Sequence, residues 1–451
     1  MQKNWVKAWI AFAGLLFGFA CSLTMEAVEP QSMLKDFSQD GADLEASGWK
    51  TWSPRPPLLP RCSVDTVCFR SAPSALAISG NSNPAAYGGW AFRFKNLKPE
   101  QRYKLTAYFK TRAVGQPHRQ VVARVDWRGK DGQRVGQPDY AFKVEPADNG
   151  WKRLSMEVPA PKEASEAKLE LALGWSPQGT VWWDDISWEE VPAPGPRLVR
   201  LGLVSLRPQD TGSKDGSLQA FLKALDQVAV DKPDLVCLGE GITMVGNSAS
   251  YAELAEALPG PTTRVLGEKA RQHHMYVVAG LYEREGETFY NTAVLIDREG
   301  KLAGKYRKVY LPREEIEGGL TPGITFPVFQ TDFGRIGIMI CWDSEYADPA
   351  RALAYQGAEV ILLPIWGGDM KLMQARAIEN HLYLLSSGYD VETALIDPLG
   401  EVLFSTQESG VYRTFSIDLN RRFADPWLGD MRGRFHKELH WDNPTLIQEN
   451  E

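Results

Sequence analysis

The sequence predicts two unlike halves: an all-β antiparallel sandwich, then an α/β domain with helices outside a sheet core. Three observations predict this. The chain has 451 residues, too long for one ordinary domain. Short alternating segments fill its first part. After the Pro- and Gly-rich stretch EVPAPGPR (190–197) the rhythm changes to strands and helices in turn.

The chain begins MQKNWVKAWIAFAGLLFGFACS. Lys3 and Lys7 precede an apolar run from Ala8 to Ala20, and small residues follow. This reads as a secretory signal over residues 1–22, with an uncleaved N-terminal anchor as the alternative. Cys21 follows GFA, which resembles a bacterial lipoprotein cleavage box, although its usual Leu is missing. The expectation is an exported protein: periplasmic, extracellular or lipid-anchored through Cys21.

Residues 30–191 supply the sandwich. GWAFRFKNL, YKLTAYFKTRA, VVARVDWRG, WKRLSMEVPA, AKLELALGW and VWWDDISWEEV each alternate apolar and polar residues, with turn residues between them. Cys62 and Cys68 lie close together in RCSVDTVCFR, a loop that an oxidising compartment could staple with a disulfide. VWWDDISWEEV and GWKRLSMEVPAP resemble the galactose-binding-like jelly rolls common in carbohydrate-binding modules. The resemblance implies a jelly roll that meets a carbohydrate through exposed Trp faces. Trp90, Trp127 and Trp175 are candidates, with core packing as the competing reading for each.

Residues 192–197 form the linker and 198–418 the α/β domain. RLVRLGLVSL, PDLVCLGE, MYVVAGLYE and EVILLPIW read as strands. SLQAFLKALDQVAV, TTRVLGEKARQHH, DPARALAYQGA and MKLMQARAIENH have helical spacing. Residues 419–451 form a polar tail with scattered aromatics. The net charge is −7 with no basic tract, which sets nucleic acid aside as a partner. No clustered His/Cys ligand set and no convincing glycine-rich nucleotide loop is present, so neither a metal nor another cofactor is expected.

The chemistry gathers where FGRIGIMICWDSEYAD ends an apolar run on Cys341. A cysteine there is either a small core filler or a nucleophile held at the mouth of a sheet. Cys237, inside DLVCLGE, reads as a buried core thiol. A thiol attacking an amide needs a base for its proton, positive charge or N–H donors for the oxyanion, and an acid for the leaving amine. The histidines are badly placed for this: His273, His274 and His381 lie at helix ends, and His436 and His440 in the tail. Glu240, Lys308 and Cys341 each follow a strand-like run, and three strand ends can converge on one edge of a sheet. A carboxylate buried there has a raised pKa and can act as a base near neutrality. Alone, each of the three has a plainer reading, as a solvated carboxylate, a strand-edge lysine and a core thiol.

DLVCLGE, GKYRKVYLP and GIMICWDSEYADPARALAYQGAEVILLP resemble the nitrilase superfamily of carbon–nitrogen hydrolases, over about residues 198–418. The resemblance implies an α-β-β-α sandwich with a Glu–Lys–Cys triad. Glu240 would be the general base, Lys308 would stabilise the tetrahedral intermediate, and Cys341 would be the nucleophile. The backbone N–H of Trp342 would join the oxyanion hole. A further Glu is implied between the Lys and Cys motifs; LPREEIEGGLTPG offers Glu314, Glu315 and Glu317, and the IEGG…PG context favours Glu317. Two departures leave the substrate open: GE at Gly239 where PE is usual, and CWDSEYADPAR where CYD…FPE is usual. The expectation is an exported hydrolase that cleaves a linear amide or carbamoyl C–N bond through a thioester. A small-molecule amide would be its substrate, and the tail would pack against a second copy in a homo-oligomer. The alternatives are a nitrilase, an N-acyltransferase, or a catalytically silent binding protein with a sugar-binding jelly roll.

Overall fold

The computed structural model describes residues 47–425 and 427–438. The signal-like segment and Cys21 lie outside them. Among the described residues no helix is long and apolar enough to cross a membrane.

The N-terminal part is β-rich. A five-stranded and a six-stranded sheet, both antiparallel, share one apolar core. The alternation seen in the sequence explains that core. In Glu166–Gly174, Ala167, Leu169, Leu171 and Leu173 enter it, while in Val121–Arg128 it takes Val121, Ala123, Val125 and Trp127. Trp90 and Trp127 are core residues, 6% and 0% exposed, whereas Trp175 is 48% exposed. The expected Cys62–Cys68 disulfide is absent, and both thiols are free. The reason is directional: Cys62 packs against the core shared by the two sheets, and Cys68 against a separate cluster around Trp151 and Trp182. Burial also pushes the Cys62 thiol up to about 12, which disfavours the thiolate that disulfide exchange needs.

Residues 192–197 run on without helix or strand. Beyond them two six-stranded sheets pack against each other. Helices Lys214–Val228 and Pro261–His273 cover the outer face of the first sheet. Ser213 starts the former by accepting from the N–H of Gly216, and Leu218, Phe221, Leu222 and Leu225 form its buried stripe. Burying Phe221 alone contributes on the order of 2 kcal/mol. Helices Asp348–Tyr355 and Met370–Asn380 lie against the second sheet. The layers run helix, sheet, sheet, helix.

The tail read as polar behaves differently. Phe423 is buried beside Tyr383, and helix Met431–Glu438 packs back on the β-rich part. Lys437 Nζ donates to the Val121 carbonyl at 3.0 Å. His436 stacks on Phe142 at 4.8 Å and faces Tyr355 of the α/β part at 5.7 Å.

Candidate active site

Strand direction brings the site together. Strands Leu235–Cys237 and Tyr276–Glu285 are parallel, Thr288–Ile296 returns antiparallel, and Leu302–Arg307 runs back alongside it. Leu235–Cys237 and Leu302–Arg307 therefore leave the sheet at the same edge, carrying Glu240 and Lys308 just beyond their ends. Close packing seats Glu240. A Cβ on Gly280 would lie 2.7 Å from the Glu240 Cα, so only glycine permits this approach. Gly239, the departure from the usual Pro, leaves room for Tyr389, whose hydroxyl donates to the Glu240 carbonyl at 2.8 Å.

Lys308 is 1% exposed, and its ammonium donates to Glu240 Oε1 at 3.0 Å and to Glu315 Oε1 at 2.9 Å. Burial works against its charge, but Glu240, Cys341 and Glu315 outweigh it and hold the ammonium well above the usual lysine range. Burial raises the Glu315 carboxyl, with Lys308 opposing and Glu240 adding to the rise.

Here the structure corrects the expectation for the auxiliary carboxylate. Glu317 points outward to an exposed ion pair with Arg313 at 2.7 Å. The carboxylate on Lys308 is Glu315. Both lie in helix Arg313–Glu317, where two residues turn the side chain by about 200° about the axis, so only one of the pair can face inward. Glu314 is also exposed.

Cys341 follows strand Arg335–Ile338 in the second sheet and opens the helical turn Cys341–Glu345. Its φ of +44° lies in the left-handed region, a conformation that costs a non-glycine residue energy and is typical of functional turns. The thiol is buried and donates to the Gly367 carbonyl at 3.5 Å. Burial pushes it up to about 12, Glu240 adds to the rise, and Lys308 opposes it. Both charged groups thus act on the sulfur. Trp342 follows within the same turn, where the first N–H groups of a helix lack intrahelical acceptors.

Asp343 locks that turn. It accepts from Tyr306 Oη at 2.7 Å and from the N–H groups of Tyr310 and Ile340, both at 2.9 Å. Burial still pushes its carboxyl up to about 6 against these three donors. Asn291, fully buried, donates to Glu240 Oε1 at 2.7 Å and to Glu315 Oε1 at 2.8 Å. Sequence reasoning missed Asn291, Asp343 and Tyr389. The available signals were a lone amide inside the apolar run NTAVLI and an acid directly after Cys341 and Trp342.

The histidines lie elsewhere: His273 pairs with Asp226, and His381 meets the Phe423 carbonyl. Cys237 is a fully buried core residue. Among the described residues no group of His, Cys, Asp and Glu side chains is arranged to hold a metal.

The family profile for carbon-nitrogen hydrolase matches residues 200–422. A nitrilase from Pyrococcus abyssi is 35% identical over 222 residues, spanning 48% of this chain and 84% of its own length. The chain belongs to the carbon–nitrogen hydrolase family. An (R)-stereoselective amidase from a Pseudomonas species is 31% identical, over 49% of this chain and 86% of its own. Among solved structures, a carbon–nitrogen hydrolase from Helicobacter pylori G27 aligns at 22% identity over 49% of this chain and 90% of its own, with a TM-score of 0.45. The carbon–nitrogen hydrolase match lies in the α/β part and its first C-terminal turns, and Glu240, Lys308, Glu315 and Cys341 all fall within it.

Proposed function

We propose that this protein is a cysteine amidase that cleaves a linear amide or carbamoyl C–N bond through a thioester. The observation that carries the reading is the meeting of Glu240, Glu315 and Lys308 in one buried cluster, of which Glu240 and Lys308 act on the Cys341 thiol. A thiol held near 12 is protonated in the resting enzyme, so its proton must leave as the sulfur attacks.

Glu240 takes that proton while the sulfur bonds to the amide carbon. The carbonyl oxygen becomes an oxyanion facing the Lys308 ammonium and the Trp342 N–H. Collapse breaks the C–N bond, and Glu240 returns the proton to the departing amine. Glu240 then takes a proton from water, the hydroxide attacks the thioester carbon, and the acid leaves as the proton returns to sulfur. Glu315 holds Lys308 from its other side. Relatives named as a nitrilase and as an amidase support C–N chemistry and leave nitriles and acyl transfer to an amine as the variants to compare.

A second reading concerns the β-rich part, read as a jelly roll that binds carbohydrate. It is favoured by a cavity of about 440 Å³ lined by Tyr87, Arg119, Tyr140, Trp175 and Lys437. Trp175 stacks on Tyr87 there at 5.0 Å, with much of the indole still exposed. Export through residues 1–22 and assembly with a second copy belong to the same proposal.

The test is ammonia release from a panel of amides, carbamoyl compounds and nitriles, for the full chain and for Cys341→Ala. Release that vanishes in the variant supports the amidase, and the best panel member names the substrate class. Release that persists removes the Cys341 mechanism. Binding of the protein and of Trp175→Ala to a polysaccharide panel tests the second reading, and equal retention of both removes Trp175 from it.

A further inference from the structure

The cluster around Lys308 contains a residue that the mechanism above does not use. Asn291 lies in strand Thr288–Ile296, opposite Tyr282, at the edge where Glu240 and Lys308 leave the sheet. Its carbonyl accepts the Lys308 N–H at 2.9 Å, so one residue holds the lysine backbone and both carboxylates. The Asn291 amide nitrogen and the Lys308 ammonium reach the same two oxygens, Oε1 of Glu240 and Oε1 of Glu315, at 2.7 to 3.0 Å. The four atoms form a closed ring of two acceptors bridged by two donors, one charged and one neutral. The remaining oxygens, Glu240 Oε2 and Glu315 Oε2, are buried with no partner.

The orientation of the amide follows from charge. Turned over, its oxygen would face two carboxylates, and Lys308 alone would donate to both. Two carboxylates this close otherwise tend to share a proton, which would take Glu240 out of service as a base. A second cation would prevent that but would also neutralise the base. A neutral donor stabilises the ionised pair without adding charge. The Asn291 hydrogen bond does act against the rise of Glu315.

We propose that Asn291 is a positioning residue for the reaction: it keeps the two carboxylates from sharing a proton and holds Glu240 turned so that its second oxygen is free to take the Cys341 proton. The proposal rests on the Glu240–Lys308–Cys341 reading. It goes beyond it in assigning the base its state and aim.

The test uses iodoacetamide on the full chain, with alkylation read at the Cys341 peptide by mass spectrometry from pH 5 to pH 9. In that step the S–C bond forms, iodide leaves and the thiol proton goes to Glu240, so no natural substrate is needed. Asn291→Leu keeps the branching and heavy-atom count of the side chain and removes both donors. Asn291→Ala leaves room for a water that partly replaces them. The expected result is an acid-side limb moved up by about one pH unit in Asn291→Leu, or about tenfold slower alkylation on that limb, with a smaller shift in Asn291→Ala. A merely structural role would lower rates without moving the limb. If Asn291→Leu does not fold, Asn291→Ala decides alone. Wild-type limbs in the folded variants, with Glu240→Gln slow, overturn this proposal and leave the triad reading intact. Alkylation of Glu240→Gln as fast as wild type overturns both.

Discussion

The Tyr306 hydroxyl donates to Asp343 at 2.7 Å, and this bond ties the strand leading to Lys308 to the turn that begins with Cys341. The two lie in different sheets, so the bond ties the Lys308 ammonium and the Cys341 thiol to one frame. Asp343 also holds the Ile340 N–H, immediately before Cys341. Tyr306→Phe should lower stability by about 1–3 kcal/mol, the usual cost of losing a hydrogen bond to a buried charged group. Asp343→Ala strands three donors and should cost more, with at least about a tenfold loss of kcat. Urea unfolding and ammonia release on the two variants would check the order.

Glu315 and Glu317 give a sharp contrast. Glu315→Gln removes half the anionic charge around Lys308 and should lower kcat/KM by about tenfold to a hundredfold. Glu317→Gln breaks an exposed i,i+4 pair and should change stability by less than about 0.5 kcal/mol, with activity within about twofold of wild type. Side-by-side kinetics decide the matter. Equal losses would mean that the inward-facing carboxylate has no special role.

Lys308 is buried and held by two carboxylates about 3 Å away. Lys308→Arg keeps the charge but must place a planar guanidinium there. It should lose activity by about a hundredfold to a thousandfold while remaining folded. Lys308→Met leaves the carboxylates without a cation and should destabilise the fold by about 3–5 kcal/mol. Thermal melts and kinetics on both variants separate charge from shape.

His436 sets an acid limit. Burial pushes it down to about 4, and Arg432 and Lys437 add to the drop. The unfolded chain binds a proton near pH 6.5, but the folded chain does not until about pH 4. Stability should therefore fall as pH drops through that window, by at most about 3 kcal/mol. His436→Phe, which keeps the ring between Phe142 and Tyr355, should flatten this slope. Denaturant titrations at pH 7, 5.5 and 4.5 would show it.

Some of this site could be read from the sequence, because its residues follow apolar runs whose direction a parallel arrangement makes common. Glu240 and Lys308 meet for that reason. What was not legible depended on rotation about a short axis or on the choice of face. Three glutamates within five positions cannot be ranked without the helix Arg313–Glu317, and the glycines after Glu317 drew attention to the wrong one. Cys62 and Cys68 are near in sequence, yet they belong to different clusters. Trp90 and Trp127 are core residues and Trp175 is not, a difference set by the left-handed backbone at Trp175 (φ +51°) just past the end of its strand. The tail's few aromatics were enough to seat it, since Phe423 and His436 find partners that lie far away in sequence.

Helix Met431–Glu438 lies between Phe142 of the β-rich part and Tyr355 of the α/β part, so the chain's late residues act as a clasp over its own midpoint. The exposed stretch 192–197 is then not the sole tether. A protease nick there should yield two bands under denaturing conditions but one undivided particle in gel filtration. Trimming the clasp as well would let the fragments part. The β-rich part is therefore no interchangeable cassette: a graft of it onto another enzyme would have to bring this distant helix along.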